Sequence, residues 1–296
     1  MRGAWIWLRP GNMPRVEQCL PHLDGVVYPL QRATGPIHVG PTHRRWLEEW
    51  VDAGRSWWAM DWLSGTSSGH VEDLCARARE LGASGLVDDA EPEAGWRGRV
   101  REAVARRLAL AEHRGSLDLA ITDRARGGIG DRVLGALLAE VEGHRPIGIP
   151  QSYDPAGRYA GDYHQLGVDY WRDLGAERVV LGVGLWLRAE KRHRTPDELR
   201  RHLATIPPKV QGVCGWYASA SALDDGDAET ADDLLPVLGE HRASAALRPT
   251  DPAPLAEPPR VRLVAVLEAL AVEAKAAGDL DAAHELAHVA ARLARA

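Results

Sequence analysis

Short apolar runs rich in β-branched and aromatic residues recur about every 30 residues over most of the chain. They predict eight strands, at 4–8, 25–30, 56–63, 84–87, 117–122, 146–149, 178–187 and 210–217. Segments with apolar residues at i, i+3 and i+4 lie between most of them and predict amphipathic helices, at 42–54, 71–82, 100–111, 132–141, 163–174 and 195–206. The segment 14–23 has a weaker helical pattern. Strands that alternate with helices are typical of a parallel sheet.

The number of strands favours one α/β fold over another. Eight strand–helix units predict a (β/α)8 TIM barrel over residues 1–247. An open doubly wound sheet is the alternative, but no glycine-rich phosphate-binding turn follows the first predicted strand. Gly127, Gly128 and Gly130 resemble such a turn only loosely, because their spacing is different.

The C-terminal part has a different composition. Residues 228–238 predict the last barrel helix, and the five prolines within 248–260 predict a linker. Residues 261–296 are rich in Ala and Leu and predict a helical hairpin with its turn at Gly278–Asp279, similar to one tetratricopeptide-type helix pair. A single pair buries little surface by itself, so we expect it to pack on the barrel, on a protein partner or on a second copy of the chain.

Composition excludes several classes of function. The 296 residues are 45% hydrophobic and 26% charged, with a formal net charge of −6 and no cluster of basic residues, so nucleic acid is not an expected partner. Cys19, Cys75 and Cys214 lie far apart, which argues against a disulfide framework. Arg9 and Pro10 interrupt the first apolar run, so we expect no signal peptide, no membrane span and a cytoplasmic location as synthesised.

The most informative stretch is 85–93, where an apolar run stops at Asp88, Asp89, Glu91 and Glu93. Asp89 and Glu91 are two residues apart, so on an extended backbone they point in the same direction. Two such carboxylates at a strand end suit glycoside hydrolysis, which needs an acid for the leaving oxygen and a second group at the cationic centre. A solvated acidic turn that opens a helix is the other interpretation.

Polar and aromatic residues also occupy most of the other predicted strand ends. In a TIM barrel the carboxyl ends of the strands face the active site. The chain has 11 Trp, 6 Tyr and no Phe, and the Trp side chains could stack on sugar rings or fill the core volume that Phe would fill. The residues concerned are Tyr28, Gln31, Asp61, Trp62, Asp88, Asp89, Thr122, Asp123, Gln151, Trp186, Trp216 and Tyr217.

Three short motifs resemble a known family. Asp89-Ala90-Glu91, Ser152-Tyr153-Asp154 and Gly215-Trp216 resemble marks of the chitinase-type (family 18) glycoside hydrolase barrels, which carry D-x-E, Y-D and a floor tryptophan on these strands. The D-x-E motif is shared with family 25 lysozymes, which cut bacterial wall glycan. The resemblance covers about residues 3–220 and excludes the hairpin.

The resemblance implies a role for each matched residue. Glu91 would be the general acid, Asp89 would orient the substrate's N-acetyl group, Tyr153 and Asp154 would stabilise the ring that this group forms, and Trp216 would be the floor of the sugar site. Asp61, Trp62, Asp88, Asp123, Gln151, Trp186 and Tyr217 are the expected substrate contacts. No cofactor or metal is implied.

For some of these residues a structural interpretation stays open. Residues 153–155 could be a plain turn, Trp216 could be core packing, and Asp61 could be a buried carboxylate paired with Arg. The chain also departs from the family patterns. Val87 stands where the chitinase pattern has a further Asp, and Trp5 and Trp7 occupy the strand where the lysozyme pattern has an acid.

The sequence therefore supports three hypotheses. The first is a hydrolase of N-acetylhexosamine polymers, peptidoglycan rather than chitin, which would need a non-classical route to the cell wall. The second is an inactive barrel that binds glycan or serves as an assembly module. The third, a zinc peptidase, depends on His284-Glu285-x-x-His288, whose spacing fits zinc but has no room for a downstream third ligand.

Overall fold

The structure is a computed structural model that describes residues 1–8, 13–32, 35–62, 65–153, 162–187, 190, 192–216, 233–246 and 259–295. Eight parallel strands form a closed barrel in which each strand pairs with the next and β1 also pairs with β8. The strands are β1 Gly3–Trp7, β2 Gly25–Arg32, β3 Ser56–Trp62, β4 Gly85–Asp89, β5 Asp118–Arg124, β6 Ile147–Ser152, β7 Arg178–Gly184 and β8 Gly212–Trp216. The predicted α/β fold class, a (β/α)8 barrel, is confirmed.

Helices connect the strands and surround the barrel. They are α1 Val16–Cys19, α2 Pro41–Asp52, α3 Val71–Glu80, α4 Val100–His113, α5 Asp131–Leu138, α6 Tyr163–Asp173, α7 Pro196–Ala204 and α8 Leu235–Ala246. The start of α7 is a capping box, in which the Glu198 N–H donates to Thr195 Oγ1 (3.3 Å) and the Thr195 N–H donates to Glu198 Oε2 (2.8 Å).

The hydrophobic core has two layers. The outer layer lies between the strands and the helices and contains fully buried Trp50, Trp57, Trp96 and Trp171, so these indoles do fill core volume. The inner layer fills the barrel with side chains that alternate along the strands. Its buried members are Trp5, Trp7, Val27, Trp58, Met60, Val87, Ala120, Ile147, Ile149, Val180 and Cys214.

A glycine makes room for the largest side chain at the bottom of the barrel. A Cβ added at Gly25 would lie 2.2 Å from the Trp5 ring, which is closer than van der Waals contact allows. The Trp5 ring therefore fills this part of the barrel, and in this fold the binding site lies at the carboxyl ends of the strands.

Two elements differ from the sequence prediction. The predicted strand 178–187 breaks after Gly184, and Trp186–Leu187 pairs instead with Arg192–His193 in a separate antiparallel hairpin. The last barrel helix begins at Leu235 and continues to Ala246, whereas the prediction had 228–238. Pro236 explains this start, because proline is tolerated in the first turn of a helix and not in its interior. Residues 228–232 lie outside the described part of the chain.

The C-terminal hairpin consists of α9 Pro259–Ala276 and α10 Leu280–Arg295. It packs on the barrel at α5, and the Arg132 guanidinium reaches Glu273 Oε1 at 3.3 Å. Most of the predicted linker, residues 248–258, lies outside the described ranges. No helix among the described residues is both long and apolar enough to cross a membrane.

Candidate functional site

The two carboxyl groups at the end of β4 lie side by side in the barrel mouth. Asp89 is the last residue of β4, and the Ala90 N–H donates to the Thr122 carbonyl of β5 at 2.9 Å, so the backbone stays extended as far as Glu91. The Gln151 amide from β6 donates to Glu91 Oε1 at 2.5 Å and to Asp89 Oδ1 at 3.4 Å. One neutral donor therefore holds both carboxyl groups.

The surroundings favour the protonated form of both acids. Burial raises the pKa of Asp89 well above its usual range, and the negative charge of Glu91 raises it further. Burial also raises the pKa of Glu91, while the hydrogen bond from Gln151 acts in the opposite direction. Two interacting carboxyl groups titrate as a pair, and raised pKa values favour the protonated form that a general acid requires.

Aromatic rings from four strands line the mouth beside these acids. Trp7 of β1 lies 4.7 Å from Trp216 of β8 and 6.2 Å from Tyr153, measured between ring centroids. Trp216 also lies 5.9 Å from Tyr153 and 6.1 Å from Trp62 of β3. Trp62, Tyr153 and Trp216 are partly exposed, so their rings offer a flat apolar surface to a ligand.

Tyr153 connects the aromatic rings to the acids. Burial and the negative charges of Glu91 and Asp89 raise the pKa of Tyr153 well above its usual range, so its hydroxyl stays protonated. That hydroxyl is buried and, within the described residues, has no hydrogen-bond partner. Asp89 Oδ2 and the Trp7 indole N–H are also buried and have no hydrogen-bond partner among the described residues. These unsatisfied polar groups can bind a ligand or water.

The backbone of Tyr153 is held from the neighbouring strand. A Cβ at Gly184 would lie 2.8 Å from the Tyr153 carbonyl oxygen, so only glycine allows β6 and β7 to approach this closely. Arg194 donates to the Gly184 carbonyl at 2.8 Å and to the Tyr153 carbonyl at 3.3 Å. Tyr153 is therefore fixed by strand packing, although it lies one residue beyond the end of β6.

Asp61 and Asp88 lie on the opposite face of their strands. The two residues are partners in the β3–β4 register and point away from the barrel interior, where both carboxylates bind the buried guanidinium of Arg106 from α4. Arg106 also donates to the Ser67 carbonyl at 2.7 Å, and His70 Nε2 lies 2.8 Å from Asp61 Oδ2. We therefore assign Asp61 and Asp88 to a structural ion cluster and not to substrate contact.

Two further predicted contacts have partners of their own. Asp123 is fully buried and accepts a hydrogen bond from the Ile129 N–H at 3.3 Å, which ties down the loop after β5. Burial raises the pKa of Asp123 to about 7. The Trp186 ring packs on His193, its partner in the hairpin after β7, with 5.0 Å between the centroids. Asp154 and Tyr217 lie outside the described residues.

The structure thus brings together six of the predicted residues and adds two. Glu91, Asp89, Gln151, Tyr153, Trp62 and Trp216 meet at the mouth. Trp7 was missed as a site residue, although its alternation with Trp5 on β1 could have indicated an inward side chain. Arg32 was also missed, and its guanidinium lies 4.7 Å from the centre of the Trp62 ring.

The H-E-x-x-H sequence lies on the outer side of the molecule. His284, Glu285 and His288 are exposed on α10, as expected for the solvated face of a docked helix. In the part of the chain that the structure describes, no three His, Cys, Asp or Glu side chains are grouped so that they could hold a metal ion.

Comparisons with known proteins concern the fold. No protein-family model matches the sequence, and no curated protein is significantly similar to it. A GH18 chitinase from Flavobacterium johnsoniae matches with a TM-score of 0.54 at 11% identity, over 82% of this chain and 95% of the chitinase chain. A ligand-free tryptophan synthase from M. tuberculosis matches with a TM-score of 0.50 at 17% identity, over 83% and 94% of the two chains.

A glycoside hydrolase domain from Bordetella bronchiseptica matches with a TM-score of 0.45 at 10% identity, over 79% of this chain and 98% of that domain. A chitinase and a tryptophan synthase match to a similar degree, so the comparisons identify a barrel architecture that unlike enzymes share. The chemistry has to be argued from the residues at the barrel mouth.

Proposed function

We propose that this protein binds an N-acetylhexosamine-containing glycan at the barrel mouth and cleaves a glycosidic bond with Glu91 as the general acid. The observation that carries this proposal is the Gln151 amide, which bonds to both Asp89 and Glu91 beside the rings of Tyr153 and Trp216. A half-buried carboxyl group with a raised pKa, next to flat aromatic rings, suits protonation of a sugar leaving group.

The chemical step follows the substrate-assisted route. The carbonyl oxygen of the substrate's N-acetyl group attacks the anomeric carbon while Glu91 gives its proton to the departing oxygen. Asp89 accepts the amide N–H of that group, and the Tyr153 hydroxyl donates to its oxygen. Water then opens the resulting ring, with Glu91 as the base that regains the proton. Asp154 would help Tyr153 to stabilise the ring that the N-acetyl group forms, a role that only the family resemblance implies.

The preferred substrate in this proposal is peptidoglycan rather than chitin. The D-x-E motif, which is common to family 25 lysozymes, supports it. A protein partner or a second copy of the chain would bind the hairpin of 261–296.

The test is turnover of soluble cell-wall fragments by the wild type, Glu91→Gln and Glu112→Gln. We expect Glu91→Gln to lower kcat by about 100-fold or more, because general acid catalysis contributes about 10²–10⁴-fold. Glu112→Gln is the matched control, since Glu112 is an exposed acid of α4 on the outside of the barrel, and it should retain activity. Equal rates for wild type and Glu91→Gln would contradict the catalytic role.

An inactive barrel that binds glycan or serves in assembly is the second candidate. The observations that favour it are Val87, in the place of a further acid, and Trp5 and Trp7 on β1, where family 25 lysozymes have one. This candidate predicts no turnover by the wild type and equal glycan affinity for wild type and Glu91→Gln, measured by calorimetry.

A further inference from the structure

A bulge in β2 decides the direction of Arg32. The register pairs Pro29 with Met60 and Gln31 with Asp61, so Leu30 is an extra residue without a partner on β3. Side chains alternate along a strand, and register partners share a face. Regular alternation from Pro29 would point Gln31 into the barrel. The extra residue instead puts Arg32 on the inner face, next to its register partner Trp62. Bulges beside active sites often change the direction of a side chain in this way.

The Arg32 side chain carries a positive charge that no acid of the described chain neutralises. Its guanidinium stacks over Trp62, and among the described residues it forms no ion pair. The Arg32 Nε atom is buried and has no hydrogen-bond partner there. Cation–π stacking explains the position of the guanidinium but leaves the Nε–H without an acceptor among the described residues, and a buried donor without an acceptor is costly.

The position of Arg32 relates this charge to the acids of the candidate site. Arg32 stands on β2 and Trp62 on the neighbouring strand β3, and the next strand, β4, ends at Asp89, two residues before Glu91. The mouth is therefore positive on one side of Trp62 and acidic on the other. A glycan with an anionic substituent can bind with the substituent at β2 and the glycosidic bond at β4. The opposite orientation would place the negative substituent beside Asp89 and Glu91, where like charges repel.

We infer that Arg32 is a specificity-determining residue that binds the carboxylate of an acidic sugar, so that the preferred glycan carries negative charge. The inference rests on the proposed function, since it places the glycan in the same mouth. Guanidinium is suited to this role because its planar N–H pairs match the two oxygens of a carboxylate. A lactyl ether on an N-acetylhexosamine and a uronic acid both supply such a carboxylate.

The test compares three oligosaccharides of equal length by isothermal titration calorimetry. One is a neutral N-acetylglucosamine oligomer, one carries lactyl ethers on alternate residues, and one has uronic acids at alternate positions. All proteins carry Glu91→Gln, so that the ligand is not consumed, and Glu91→Gln alone is the reference protein with intact Arg32. The further variants are Arg32→Met, Arg32→Lys and, as control, Arg201→Met, which removes an exposed arginine of α7.

We expect a carboxylated oligomer to bind about tenfold more tightly than the neutral one, as a charge-assisted hydrogen-bonded pair allows. Arg32→Met should abolish the difference, Arg32→Lys should restore part of it, and Arg201→Met should leave it unchanged. Added salt should weaken only the binding of carboxylated oligomers. A preference for one of the two carboxylated ligands identifies the source of the carboxylate.

Equal affinity for all three ligands would overturn this inference and leave the proposed function standing. Absence of binding of any oligomer would overturn both. The ligand comparison on the protein with intact Arg32 does not depend on the folding of a variant, and circular dichroism establishes whether Arg32→Met is folded.

Discussion

At the scale of single residues, the Gln151 amide is the link between the acids of the site. Its two N–H groups reach Glu91 and Asp89, and it is held on β6 between Pro150 and Ser152. A neutral donor stabilises an ionised carboxylate without adding charge, so it moderates the effect of burial on Glu91. Gln151 therefore has a positioning role in addition to any contact with substrate.

Gln151→Leu tests this role by removing the donor at similar volume. We expect the pKa of Glu91 to rise further, because the hydrogen bond that favours its ionised form is lost. The measurement is a carboxyl ¹³C NMR titration, with Glu91→Gln to assign the signal. Gln165→Leu is the matched control, since Gln165 donates to Asp169 on the exposed side of α6. An unchanged titration of Glu91 in Gln151→Leu would refute the role.

At the scale of elements, β6 is anchored to two helices behind the site. Ser152 Oγ lies 2.5 Å from His164 Nδ1 of α6, and the His164 ring lies 4.6 Å from the ring of His202 in α7. Ser152 points outward between the inward residues Gln151 and Tyr153. The orientation of two site residues therefore depends on histidines that are themselves outside the site.

This anchor makes a prediction about pH. Burial lowers the pKa of His202 well below 6.5, and the positive charge of Arg194 and the neighbouring His164 lower it further. The folded protein keeps His202 neutral, whereas the unfolded chain takes up a proton below about pH 6.5. The stability that neutral His202 contributes is therefore present above about pH 6.5 and is lost as the pH falls below it.

The measurement is the free energy of unfolding in urea at about pH 7.5 and about pH 5.5, for wild type and His202→Gln. The stability difference between the two proteins should shrink at the lower pH, because only the wild type has this histidine to protonate. His284→Gln, on the exposed face of α10, should not alter the pH dependence. A difference that stays constant with pH would show that His202 does not titrate on unfolding.

At the scale of the whole molecule, burial of apolar surface explains the docking of the hairpin better than ion pairs do. Leu267 of α9 is fully buried and belongs to the outer core, whereas the Arg132–Glu273 pair is exposed. Exposed ion pairs contribute about 0–1 kcal/mol, and removal of a buried leucine side chain costs about 2–5 kcal/mol.

Leu267→Ala should accordingly lower the free energy of unfolding by about 2–5 kcal/mol, and Glu273→Ala by less than about 1 kcal/mol. Urea denaturation monitored by tryptophan fluorescence measures both variants. Equal losses would mean that the hairpin is held by its charges. A wild-type-like Leu267→Ala would mean that the hairpin does not stabilise the barrel.

Much of the architecture could be predicted because it follows from local regularities. Strand-like and helix-like periods, the Thr195–Glu198 capping box and the turn at Gly278 depend on neighbours within a few residues. The pairing of Asp89 with Glu91 depends on alternation along one extended segment, and the approach of Tyr153 and Trp216 follows once the barrel closes. The interruption after Gly184 and the start of α8 at Leu235 were missed.

The sequence by itself determined which segments become strands and helices, because the period of apolar residues is a property of the chain. It also determined that the strand ends would bring acids and indoles to one rim of the barrel. Only the tertiary structure decided which of these side chains face the mouth. Asp61 and Asp88 pair on the outer face of the sheet with Arg106, which lies 45 and 18 residues away, and Arg32 was turned inward by an extra residue in β2. Such partners meet only when the sheet closes, so no local pattern contains them.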